Sequence, residues 1–266
     1  MHIRVINPNT TRAMTDLIGR SARVVAAPGT IVDAVQPSMG PASIESHYEE
    51  ALAVPGLLEQ VALGESEGVD AYVIACFGDP GLDAARELAR GPVVGIAEAA
   101  MHAAALVGRR FSVVTTLGRT RGRALELAQR YGFADACRAV RACEIAVLSL
   151  EEDPGALSRI IDECRRAVEV DGADAVVLGC AGMAAFTALI ADEVGVPVID
   201  GVAAGTLLAQ SLVTLGARQG VHGEYAPPPP KAMSGLLAGF EIRPGAVLPM
   251  VTNSVSAGAP LGALWP

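Results

Sequence analysis

Short runs of apolar, largely β-branched residues alternate with longer amphipathic stretches from the first residues to about residue 216. The runs at 3–7, 31–36, 70–76, 92–96, 110–116, 139–143, 174–180 and 197–200 have the length and residue types of strands buried on both faces. Between them, the Ala- and Leu-rich stretches 46–66, 81–90, 97–107, 120–131, 155–171, 183–194 and 201–215 carry apolar residues at i, i+3 and i+4. That spacing is the stripe of a helix lying on a sheet. The alternation predicts an α/β fold with parallel sheets, because parallel neighbours need a crossover and a helix supplies it.

The pattern occurs twice. Val69-Asp70-Ala71-Tyr72-Val73-Ile74-Ala75-Cys76-Phe77-Gly78 lines up with Ala173-Asp174-Ala175-Val176-Val177-Leu178-Gly179-Cys180-Ala181-Gly182, and Pro92-Val93-Val94 with Pro197-Val198-Ile199. Upstream, strand 3–7 with its polar exit Asn7-Pro8-Asn9-Thr10 corresponds to 110–116 with its exit Thr115-Thr116-Leu117-Gly118. An internal repeat of this size predicts two similar lobes, 1–107 and 108–216, facing each other about a pseudo-twofold axis. The reading admits a swap of the first lobe's C-terminal helix. After residue 216 the periodicity stops: Pro227 to Pro230 form an extended stretch, followed by a segment rich in Gly, Pro, Ser and Ala. Residues 217–266 therefore read as a tail, either disordered or packed on the lobes or on a partner.

Composition narrows the function classes. With 266 residues and 51% hydrophobic content the chain can bury a large core, and a net charge of −9 argues against a grip on nucleic acid or an anionic membrane. No apolar run reaches the roughly 18 residues of a membrane span, and the N-terminus has no signal-peptide pattern. A cytoplasmic protein acting on a small molecule is expected. The five cysteines are odd in number and form no C-x-x-C pair, which predicts free thiols and no structural zinc. Lys231, just after the four prolines, is the only lysine, so a pyridoxal-phosphate Schiff base is not expected. No G-x-G-x-x-G follows a strand, and neither a P-loop nor a G-x-S-x-G elbow is present. His47 and His102 lack ligand spacing, so no metal is expected.

Candidate chemistry gathers at the strand exits, where open parallel sheets bind their ligands. Cys76 and Cys180 occupy equivalent exits of the two repeats. Across a shared cleft, one thiolate would remove a proton from one face of a carbon while the other thiol delivers one to the opposite face. Each cysteine precedes a glycine (Gly78, Gly182) and a helix start, whose N–H groups stabilise a thiolate or an enolate oxygen. Asp79 reads as the cap of a helix begun by Pro80. The remaining Cys137, Cys143 and Cys164 read as small buried hydrophobes. Asn7, Asn9, Thr10, Thr115 and Thr116 suit an amide or urea-like ligand and equally suit turns, while Arg119, Arg121 and Arg123 read as facing solvent from a helix start.

The segments Val5-Ile6-Asn7-Pro8-Asn9-Thr10-Thr11, Gly40-Pro41-Ala42-Ser43-Ile44-Glu45-Ser46, Ala75-Cys76-Phe77-Gly78-Asp79-Pro80-Gly81 and Leu178-Gly179-Cys180-Ala181-Gly182-Met183 closely resemble the hydantoin racemases. Those belong to the wider aspartate/glutamate racemase superfamily, and allantoin racemases look similar. The resemblance covers about residues 1–216. It implies two flavodoxin-like lobes, no cofactor, a two-cysteine mechanism carried onto Cys76 and Cys180, and a homo-oligomer. Where aspartate and glutamate racemases have Cys-Asn-Thr and Cys-Thr-His, this chain has Cys76-Phe77-Gly78 and Cys180-Ala181-Gly182, which suit a neutral ring better than a zwitterion. The expected substrate is a 5-substituted hydantoin or allantoin. Asn7, Asn9, Thr115 and Thr116 would hold its amide groups, with Phe77 and the loop Ser38-Met39-Gly40-Pro41 near the C5 substituent; Thr10, Gly78, Ala181 and Gly182 complete the expected site. An amino-acid racemase, a maleate-type isomerase of the same superfamily and a non-catalytic ligand-binding module stay open.

Overall fold

The computed structural model describes residues 1–242; the rest of the expected tail, 243–266, lies outside the described residues. Eight strands form two four-stranded parallel sheets with the same strand order. In the first sheet, β1 (His2–Ile6) lies between β2 (Ile31–Val35) and β3 (Ala71–Ile74), with β4 (Val93–Gly95) beyond β3. In the second, β5 (Phe111–Thr115) lies between β6 (Cys137–Ala142) and β7 (Ala175–Leu178), with β8 (Val198–Asp200) beyond β7. The registers Ile3↔Ala71 and Phe111↔Ala175 place the repeated segments at the same point of each sheet. Every residue of β3 and of β7 is buried, as their unbroken apolar runs require.

The helices are α1 (Arg12–Val25), α2 (His47–Glu67), α3 (Leu82–Leu88), α4 (Ile96–Val107), α5 (Arg121–Arg130), α6 (Ala156–Glu169), α7 (Thr187–Val194) and α8 (Gly201–Thr214). The periodicity named above did not mark α1. Three arginines and several small polar residues dilute its apolar stripe, yet Leu17, Ile18 and Ala22 are buried. Ser46 caps α2 by accepting from the Glu49 N–H, and Gly68, in the left-handed region, ends it. The stretch 183–194 is not one helix: a 3-10 turn, Ala181–Phe186, leads into α7.

Packing exchanges helices between the lobes. Ala97, Ala100, Met101 and Ala104 of α4 pack with Phe111, Val113 and Val177 of the second sheet. In return, Val202 and Ala209 of α8 pack with Ile3, Val5 and Val73 of the first. Where the two helices meet, a Cβ on Gly201 would lie 2.7 Å from the Ile96 carbonyl oxygen, so only glycine permits the approach. The chain boundary near 107 is therefore not a boundary between cores.

Residues 217–242 pack on the first lobe. The Gln219 N–H donates to the Arg90 carbonyl (3.0 Å), the Tyr225 hydroxyl donates to Asp83 (3.1 Å), and the Arg86 guanidinium lies over the Tyr225 ring. Among the described residues no helix is long and apolar enough to cross a membrane.

Met101 is fully buried in the second sheet's core although its helix follows the first sheet's last strand. Met101→Ala is expected to cost about 2–5 kcal/mol. Urea unfolding followed by far- and near-UV circular dichroism should show coincident transitions at a lower midpoint, since neither lobe is covered without the other.

Candidate active site

Strand exits of both sheets line one cavity of about 200 Å³. From the first lobe come Asn9 after β1 and Ala75, Cys76, Phe77 and Gly78 after β3; from the second come Thr115 and Thr116 at the end of β5, and Gly179, Cys180 and Ala181 after β7. Both cysteines are partly buried, whereas Cys137, Cys143 and Cys164 are buried and none of the three lines the cavity.

The loop after Cys76 is held from several sides. Ala75 N–H continues the ladder to the Ile6 carbonyl (2.8 Å), and the Cys76 carbonyl accepts from Asp79 N–H (3.0 Å). Asp79 itself sits at φ +45°, with its buried carboxylate accepting from the N–H groups of Ala97 and Glu98 (3.0 Å each) and from the Tyr131 hydroxyl (2.7 Å). It thus caps α4 and ties it to the end of α5. The expected cap on a helix begun by Pro80 is corrected: α3 starts only at Leu82, after Gly81. A Cβ on Gly95 would lie 2.3 Å from the Asp79 carboxyl carbon, so glycine at 95 is a condition of this cap. Burial pushes the Asp79 carboxyl up to about 6, even though three donors oppose that rise.

Arg123 also departs from expectation. It is half-buried, not solvated: its Nε and Nη2 donate to the Gly78 carbonyl (3.2 and 2.8 Å), and Nη2 pairs with Glu50 at 2.7 Å. The second lobe thereby grips the loop that carries Cys76. Arg121 is exposed as expected, and Arg119, also exposed, stands at the cavity rim.

Cys180 has extended backbone and opens the turn Ala181–Phe186, so the N–H groups of Gly182 and Met183 reach its sulfur, as Gly78 N–H reaches that of Cys76. These donors favour thiolate, but burial outweighs them and pushes each thiol up to about 12. An ionised Cys180 would raise Cys76 further. Near neutral pH both are thiols.

The profile of the Asp/Glu/Hydantoin racemase family matches residues 3–209. The hydantoin racemase of Pseudomonas sp. (strain NS671) is 48% identical over 241 residues, covering 90% of this chain and 97% of that one. Among solved structures, the allantoin racemase from Klebsiella pneumoniae is similar with a TM-score of 0.88 at 53% identity, over 90% of this chain and 98% of its own. The allantoin racemase from Pseudomonas fluorescens has a TM-score of 0.85 at 39% identity, over 88% and 100%. The chain belongs to the Asp/Glu/hydantoin racemase family.

In this family member the polar residues expected at the site divide into two groups. Asn9 and Thr116 reach the cavity with capacity to spare. The Asn9 Oδ1 is occupied by Asn7 Nδ2 and Thr11 N–H (2.9 Å each), but its Nδ2 meets only the Met14 sulfur. Among the described residues the Thr116 hydroxyl has no partner, while that of Thr115 is engaged with Thr120 (2.9 Å) and the Gly179 carbonyl (3.3 Å). Asn7, Thr10 and Gly182, also expected at the site, do not line the cavity. Asn7 spends its amide on Asn9, Thr11 and Thr15, building the turn; Thr10 bonds the Pro41 carbonyl; Gly182 sits behind Cys180.

The loop 38–41 does not line the cavity either: it backs α2, where a Cβ on Gly56 would lie 2.6 Å from the Met39 carbonyl oxygen. Its place is taken by Ile44, Glu45, Ser46, His47 and Glu50 at the start of α2. The signal was the capping pattern Ser46-x-x-Glu49 after the Gly40–Ser46 motif, which marks a helix start there. Glu45 Oε1 accepts from Val147 N–H of the other lobe, bridging the cleft at its rim.

Because thiolates are what alkylate, and both cavity thiols are pushed above the usual range, iodoacetamide should label Cys76 and Cys180 slowly at pH 7. The rate should rise about tenfold per pH unit toward pH 10. Peptide mapping should find Cys164, which has no exposure, unlabelled until the protein unfolds.

Proposed function

We propose that this chain is a cofactor-independent racemase of 5-substituted hydantoins, allantoin among them, in which Cys76 and Cys180 exchange the C5 proton across the ring. The observation that carries this reading is the pair of partly buried cysteines, contributed by equivalent exits of the two repeats to one cavity. The names of the relatives support the substrate class, and the largely apolar neighbours Phe77 and Ala181 suit a neutral ring.

One sulfur, as thiolate, takes the proton from C5. The electron pair of the broken C–H bond enters the ring as an enolate whose charge rests on the C4 oxygen. The opposite thiol gives its proton to the other face of C5 and becomes the thiolate, so the two sulfurs trade protonation states and the stereocentre inverts. Asn9 Nδ2, which otherwise donates only to the Met14 sulfur, and the Thr116 hydroxyl are donors available to ring carbonyls. The displaced pKa values fit the task. A carbon acid of low acidity needs a strong base, and a thiolate whose thiol is pushed to about 12 is a stronger base than an ordinary one. The N–H groups of Gly78 and Gly182 hold the small thiolate population in place.

The working form has one thiolate and one thiol, so kcat/KM, corrected for uncatalysed alkaline racemisation, should rise with pH between 7 and 10. It should fall only when the second thiol ionises. A flat profile over that range would contradict the assignment.

Cys76→Ser and Cys180→Ser should each lower racemisation about 10²–10⁴-fold. In heavy water each variant should retain C5 exchange on one enantiomer only, and the enantiomer should differ between the two variants. Polarimetry with proton NMR reads both. Full racemisation by either variant sinks the proposal, and turnover of acidic amino acids or maleate in place of hydantoins moves the chain to another member of the superfamily.

A further inference from the structure

Glu59 interrupts the apolar face of α2, between Leu57 and Val61. It is 5% exposed, and among the described residues no hydrogen bond or ion pair reaches its carboxyl. Other buried carboxyls are engaged: Asp79 as described, Glu65 by the Tyr72 hydroxyl and Arg90, and Asp200 by two N–H groups at the start of α8. Among the described residues Glu59 is the one buried carboxyl that no protein donor reaches, and its oxygens keep the little solvent contact that the residue has.

That carboxyl borders a second cavity of about 190 Å³, away from the cysteines. Leu58 and Leu88 of α2 and α3 form one wall, and the returning segment closes the other with Met233 and Phe240. The Lys231 N–H donates to the Ile242 carbonyl (3.2 Å) and holds that segment in a loop over the helices. The walls are almost wholly apolar apart from Glu59 and Glu87.

A purely hydrocarbon occupant would leave Glu59 unpartnered, and an anion would meet two carboxyls. An apolar body carrying a positive nitrogen satisfies both features. An apolar cavity of about 150 Å³ holds benzene, so this one has room for one ring and a short aminomethyl arm. We infer that the cavity between α2, α3 and residues 228–242 is a binding site for a small organic ammonium ion, an apolar ring bearing a primary amine, with Glu59 as its counter-charge. Burial with nothing to offset it holds the Glu59 carboxyl above its usual range, and a bound ammonium would return it to the ionised form.

The test uses the full chain and benzylamine, with benzyl alcohol and benzoate as controls of the same size, read by calorimetric titration and thermal shift. Benzylamine at ten times its Kd should raise Tm by roughly 3–5 °C, and benzoate should not bind. Glu59→Gln keeps the side-chain volume, and should weaken benzylamine tenfold or more without lowering the Tm of the free protein. Phe240→Ala should weaken benzylamine and benzyl alcohol alike. The inference is independent of the racemase reading: Cys76→Ser should leave benzylamine binding unchanged. Absence of binding to the unaltered chain, equal affinity in Glu59→Gln, or displacement by a hydantoin would overturn it.

Discussion

Each sheet hides one face under a helix that belongs, by chain order, to the other lobe. α4 leaves the first sheet to cover the second, and α8 leaves the second to cover the first. Because apolar burial is the dominant favourable term in folding, this exchange fixes the two lobes to one another as firmly as each is fixed within itself. A cleft between independently folded lobes would open and close as a hinge. Here the cores behind the cavity walls each draw residues from both lobes, which fixes the loops of two cysteines more than a hundred residues apart in sequence.

The exchange also explains the polar contacts around Cys76. Asp79 caps α4, the exchanged helix, and receives the Tyr131 hydroxyl from the lobe on which α4 rests. Arg123, in the first turn of α5, holds the Gly78 carbonyl and the Glu50 carboxylate. The loop around Cys180 is fixed differently, by the N–H groups of its own 3-10 turn and the buried Met183. The repeat is symmetric in backbone and asymmetric in how its two cysteine-bearing loops are fastened.

The same low-dielectric environment acts on both cysteines and sets the chemical character of the cavity. Desolvation outweighs the nearby N–H donors, so each sulfur rests as a thiol and is strongly basic once ionised. Carboxylates near the cleft are mostly compensated: Glu50 by Arg123, and Glu45 in part by the Val147 N–H. The exposed Arg119 and His47 stand at the cavity rim.

Local sequence determined the alternation of strands and helices, the duplication and the two equivalent cysteines, because period, β-branched runs and strand-exit position are written in consecutive residues. It also carried the family resemblance in four short motifs. What it left undecided depended on contacts distant in the chain. Asn7 and Asn9 are both strand-exit amides, and only the fold of the turn turned one inward to build it and the other toward the cavity. Arg123 looks like a surface residue until the carbonyl of Gly78 arrives from the other lobe. Asp79 looks like the cap of the next helix until α4 brings two freer N–H groups to it. The helix exchange has no periodic signature, since an apolar stripe specifies that a helix must be covered and is silent about which sheet covers it. Tertiary structure made that choice by fitting Gly201 and Gly205 of α8 against Ile96 and Val73.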